Sequence, residues 1–90
     1  MNFKPELCSL FGKPVAENPT VAMIEAAFRH HGLDWRYVQF EIEPAALPDA
    51  VRGMRAMGFR GGNVTTPHKV AIVPLLDRLS ESAALMGAVN

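Results

Sequence analysis

The residues best suited to do chemistry lie in one block, Asn63-Val64-Thr65-Thr66-Pro67-His68-Lys69, which follows Gly61-Gly62. The glycine pair lets the backbone turn freely. Asn63 to Thr65 is short and partly β-branched, which reads as the end of a buried strand. Thr66 stands where a helix N-cap would, with Pro67 at the first helical position, where its missing N–H costs nothing. The spacing predicts strand, tight turn and helix N-terminus. Lys69 then falls in the first turn of that helix, where the macrodipole disfavours a cation by about 0.3–1 kcal/mol. An acidic residue is the usual occupant. A lysine whose charged form is disfavoured can move protons near neutral pH. A solvated lysine with its stem over the helix end fits the same placement.

The elements that must position this block follow from periodicity. Glu6 to Phe11 is a short apolar run ended by Gly12 and reads as the first strand. Lys13 to Pro19 holds two prolines and an asparagine and reads as a loop. Thr20 is placed to cap a helix whose apolar stripe is Val21, Ile24, Phe28 and His31, with Gly32 as its stop. Trp35 to Ile42 alternates, with Val38, Phe40 and Ile42 predicted on one face and Tyr37, Gln39 and Glu41 on the other. Leu47, Ala50, Val51, Met54 and Met57 trace a second helix ended by Gly58. Val70, Ile72, Val73 and Leu76 continue a helix beyond Lys69, kinked or ended by Pro74. Ser80 caps a last short helix closed by Gly87, and Ala88-Val89-Asn90 opens a further extended segment. The order β-α-β-α-β-α-α-β argues for a three-layer α/β domain with a largely parallel, or mixed, sheet flanked by helices. Ligands in such sheets gather at the carboxyl ends of strands. That rule brings the loop after Phe11 and the turn after Val64 to one crevice.

Composition narrows the function classes. Ninety residues make one small domain that buries about 60–65% of its unfolded surface. Nine basic residues balance nine acidic ones, which gives no footprint for nucleic acid. One cysteine excludes an internal disulfide and fits a reducing compartment. No secretory signal and no membrane-spanning apolar run is present, so a cytoplasmic location is expected. His30 and His31 are adjacent and point apart on a helix, with no ligand-spaced partner, so no metal site is expected. Gly58-Phe59-Arg60-Gly61-Gly62 precedes a strand and lacks the Gly-x-Gly-x-x-Gly spacing, so this chain alone is not expected to bind a nicotinamide cofactor.

Phe11-Gly12-Lys13-Pro14-Val15, the block ending at Lys69, the run Leu76-Asp77-Arg78-Leu79-Ser80 leading to Ala83, and the closing Gly87-Ala88-Val89-Asn90 go together. From about Leu7 to Asn90 they resemble the substrate-binding domain of the shikimate dehydrogenase family. The resemblance implies an NADP-dependent oxidoreductase that reversibly reduces 3-dehydroshikimate to shikimate in aromatic amino-acid biosynthesis. Residues 1–90 are then its N-terminal substrate-binding domain, with the NADP-binding domain absent. By the same resemblance Lys69 is the catalytic proton-transfer residue, paired with an aspartate beyond Asn90. Thr65 and Asn90 hold substrate hydroxyls, and Glu81 lies near the cofactor. An exposed first-turn glutamate is the simpler reading of Glu81.

One segment departs from the family pattern. Where the family carries Ser-x-Ser-Pro on the substrate carboxylate, this chain has Asn18-Pro19-Thr20-Val21. Asn18 and Thr20 can still hydrogen-bond substrate, but a changed pocket polar group shifts discrimination. Quinate and aminoshikimate are therefore alternative substrates. A module that binds a small carboxylate without catalysis is the alternative from another class. The chain stops inside an extended motif, so a truncated form, inactive by itself, is expected. Its open crevice face is expected to favour self-association.

Overall fold

The computed structural model describes residues 3–89. The strands are β1 (Glu6–Gly12), β2 (Trp35–Glu41) and β3 (Gly61–Val64). The helices are α1 (Thr20–His30), α2 (Leu47–Ala56, entered through a single 3-10 turn at Pro44–Ala46) and α3 (Glu81–Met86). All strand pairing is parallel, in the order β2-β1-β3. Phe11 pairs with Phe40 on one side and Val64 on the other, which fixes the register at the carboxyl end.

Alternation along β1 divides the core into two layers. Leu10 packs with Val15 and Tyr37 beneath Val21, Ile24 and Phe28 of α1. Phe11, the next residue, packs with Val64, Ile72, Leu47 and Val51 beneath α2. Leu47 and Val51 are buried almost completely, and such burial stabilises by about 1.5–3 kcal/mol per side chain. The sheet thus has a helix on each face, the layered α/β arrangement that the element order implies.

Several expectations need correction. No α-helix runs on from Lys69. Residues 66–72 form turns, and Val73–Leu75 is one 3-10 turn. Pro74 has no N–H for the Val70 carbonyl, and its ring would clash with that carbonyl in an α-helix. The Val70 carbonyl instead accepts from the Val73 N–H at 3.1 Å. Thr66 is accordingly not a helix cap, and its peptide bond to Pro67 is cis. Gly61 and Gly62 do not make a turn but stand within β3. Thr20 is the first residue of α1 and not its cap. Pro19 holds the cap position, and the Asn18 side chain accepts from the Thr20 N–H at 3.0 Å. Ala88 and Val89 form no strand, and Asn90 lies outside the described residues.

The two faces of β2 are those the alternation gives, but their burial is unequal. Tyr37 is the buried residue at 3% exposure, whereas Val38 and Phe40 are each 37% exposed. β2 is an edge strand, and α2 sits over β1 and β3, so the Val38–Phe40 face is only partly covered. An apolar cavity of about 370 Å³ lies there, lined by Phe11, Phe40, Ile42, Met54, Met57 and Phe59 among others. Tyr37 lies on the α1 face with its hydroxyl 3.1 Å from Asn63 Oδ1, which satisfies the polar tip of a buried ring.

Two predictions come from this packing. A Cβ on Gly62 would stand 2.3 Å from the Ser9 carbonyl oxygen, whereas one on Gly61 would meet nothing within 4 Å. Gly62→Ala is expected to cost about 1–3 kcal/mol, and Gly61→Ala less than about 0.5 kcal/mol. Urea unfolding of the two variants compares them directly. Cys8, half-buried on β1, is the second case. Burial pushes its thiol up, and the Arg60 guanidinium offsets part of that push. A raised thiol holds less thiolate at pH 8, and the thiolate is the nucleophile. Cys8 should alkylate more slowly than free glutathione there, with the difference narrowing as pH rises, as read by mass spectrometry.

Candidate functional site

The carboxyl ends of the three strands are bound to one another through backbone groups. The Ile42 N–H donates to the Gly12 carbonyl at 2.9 Å, joining the exits of β2 and β1. The Thr65 N–H donates to the Phe11 carbonyl at 2.9 Å, and the Lys13 N–H to the Thr66 carbonyl at 3.0 Å, joining β1 to β3. Gly12 permits this approach, since a Cβ there would lie 2.3 Å from Thr65 Cγ2. The loop after Phe11 and the turn after Val64 therefore meet at one edge, as the sheet rule requires.

Lys69 is exposed at this edge. Its ammonium has no hydrogen bond or ion pair among the described residues, and the helix that would have disfavoured its charge does not form. Its backbone is held, because the Lys69 carbonyl accepts from the Val89 N–H at 2.7 Å. Thr65 is half-buried four residues earlier, with its methyl group against Gly12 and its hydroxyl unpartnered among the described residues. On the other flank, Asn18 is held three times, its backbone N–H donating to the Val15 carbonyl at 3.0 Å. Its Oδ1 accepts from Thr20, and its carbonyl accepts from Gln39 Nε2 at 3.2 Å. The Asn18 amide nitrogen and the Thr20 hydroxyl remain as hydrogen-bonding groups. Lys13 forms an ion pair with Glu43 at the exit of β2, so only one of the edge's two lysines is unpaired among the described residues.

Thr65 and Lys69 thus share one turn, and Asn18 and Thr20 share the start of α1. Glu81 stands exposed in the first turn of α3, whose cap is Ser80, the Ala83 N–H donating to its hydroxyl at 3.2 Å. Asn90 lies outside the described residues and has no placement here. Periodicity alone gave no role to Gln39 and missed the Lys13–Glu43 pair, thirty residues apart. It also missed His68, whose burial nothing in the residue type announces.

Among the described residues no glycine-rich turn leads from a strand into a helix. The β1–α1 connection carries Pro14 and Pro19 in place of a glycine-rich turn. The glycine pair before Asn63 belongs to a strand. Among the described residues no cluster of three or more His, Cys, Asp or Glu could hold a metal ion, and no helix is long and apolar enough to cross a membrane.

Comparison with known proteins bears on the family and the fold. The shikimate dehydrogenase from Geobacter metallireducens, described as NADP+-dependent, is 49% identical over 97% of this chain and 30% of its own length. Among solved structures, ligand-free 5-ketofructose reductase of a Gluconobacter strain superposes with a TM-score of 0.96 at 48% identity, covering 99% of this chain and 32% of that one. Shikimate 5-dehydrogenase from Listeria monocytogenes, in complex with shikimate and NAD, superposes with a TM-score of 0.95 at 41% identity, covering 100% and 31%. The chain spans about a third of the length of these relatives. The family of the shikimate dehydrogenase substrate binding domain matches residues 10–90, and the chain belongs to that family.

Proposed function

We propose that this chain is the N-terminal substrate-binding domain of an NADP-dependent shikimate dehydrogenase-like enzyme, which reversibly reduces 3-dehydroshikimate to shikimate in aromatic amino-acid biosynthesis. The observation that carries the reading is Lys69, whose ammonium is unpaired among the described residues, on one turn with Thr65 at the carboxyl edge of a parallel sheet. The nicotinamide cofactor supplies hydride and is held by a domain outside these residues, with Glu81 on the side facing it. Lys69 gives a proton to, or takes one from, the reacting oxygen. Thr65 and Asn90 hold ring hydroxyls, and Asn18 and Thr20 orient the ring from the opposite flank. The Listeria structure, bound to shikimate, supports this substrate class. A cytoplasmic, reducing setting belongs to the same reading, since Cys8 has no cysteine to pair with in the chain. The partly open Val38–Phe40 face supports self-association of the isolated chain.

A second reading has its own observation. The relative at 48% identity reduces 5-ketofructose by name, and Asn18 commits its side-chain oxygen to Thr20 in place of a serine hydroxyl pair. A neutral polyhydroxy ketone, lacking a carboxylate, is the alternative substrate.

Lys69→Ala in the intact enzyme should lower kcat by about 10²–10⁴-fold, the usual contribution of a proton-transfer group, while KM moves far less. Near-normal turnover would remove Lys69 from the mechanism. Calorimetric titration of this chain separates the substrate readings. Shikimate binding with no response to 5-ketofructose or NADP supports the first, and the reverse preference between the two substrates supports the second. NADP binding by the chain alone would contradict the domain assignment.

A further inference from the structure

The His68 side chain is fully buried at 0% exposure, although Lys69 next to it is exposed. Its Nε2 lies 2.8 Å from the Ile42 carbonyl oxygen at the exit of β2. A carbonyl only accepts, so Nε2 carries the hydrogen and donates. In the neutral ring Nδ1 then carries no hydrogen, and it is buried with no hydrogen-bond partner among the described residues. A phenyl ring would fill much the same space and leave no orphaned nitrogen. What histidine adds is the donor.

That donor reaches where the backbone bonds do not: Thr65 and Thr66 are bonded to the exit of β1, and the Lys69 carbonyl to Val89. Residues 66–72 are turns, with no helical ladder. The His68 N–H donates to the Thr65 carbonyl at 2.9 Å, and the His68 carbonyl accepts from Ile72 at 3.0 Å. Both bonds stay within the turn. Among the described residues, the ring bond to Ile42 is the one hydrogen bond that joins this turn to the exit of β2. We propose that His68 is a positioning residue: its ring ties the turn carrying Thr65 and Lys69 to the carboxyl end of β2 and so sets where the lysine stands over the crevice. The proposal deepens the Lys69 reading and rests on it only for its kinetic consequence.

The test has a structural arm on this chain and a kinetic arm on the intact enzyme. Nitrogen-15 spectra of the neutral imidazole should show His68 protonated at Nε2 and bare at Nδ1. His68→Phe should speed hydrogen exchange of the Val89 amide, which reports the Lys69 carbonyl, by about tenfold, the effect of losing one hydrogen bond. His68→Gln, which keeps a donor at similar reach, should exchange close to the original rate. In the intact enzyme His68→Phe should lower kcat about tenfold with a smaller change in KM, and His68→Gln should recover most of the loss. A proton on Nδ1, unchanged exchange in His68→Phe, or a glutamine variant no better than phenylalanine overturns the proposal. If His68→Phe does not fold, the tautomer and the glutamine comparison decide. If the unmodified intact enzyme reduces neither candidate substrate, the Lys69 reading fails while the exchange arm still judges this one.

Discussion

A side chain on residue 12 would force Thr65 to move. A Cβ there would press into the Thr65 methyl group and crowd Val15. The absence of that carbon allows the exit of β1 to lie directly against the turn after β3, and the rest of the edge follows from it. Phe11 and Lys13 exchange backbone hydrogen bonds with Thr65 and Thr66 on either side of the glycine. Ile42 then bonds to Gly12 itself from the far strand. Three loops that are distant in sequence become one surface because one position carries only hydrogen.

Charge is distributed unevenly over that surface. Lys13 and Lys69 come from neighbouring exits, but Lys13 is matched by Glu43. Both members of that pair are well exposed, so the pair contributes little to stability, of order 0–1 kcal/mol at most. Its effect is on the field: it cancels one positive charge beside the crevice and leaves the other. Among the described residues, a ligand approaching the edge meets one unmatched ammonium, with hydroxyl and amide groups nearby.

Much of the frame was legible in the sequence for a simple reason. α1 and α2 each bury one stripe, and β1 is a short apolar run closed by glycine, so period and punctuation carry the information. The block ending at Lys69 marked the functional edge. What was not legible depended on contacts between distant segments. Alternation gives Tyr37 its face but not its burial beneath α1, where Asn63 Oδ1 accepts from its hydroxyl. The apolar spacing after Lys69 mimics a helix, but the segment takes turns that place Ile72 in the core. His68 is invisible to periodicity because its burial is set by Ile42, twenty-six residues earlier.

The hydrogen bond from Val89 to Lys69 closes the path between them into an excursion that leaves the lysine and returns to it. Ile72, Leu75 and Leu76 pin the early part of that path to the core, whereas residues 77–80 are exposed. Doubling the length of such a closed segment costs only about 0.6 kcal/mol in chain entropy. Added length among residues 77–80 would thus cost this chain little while the ammonium keeps its address.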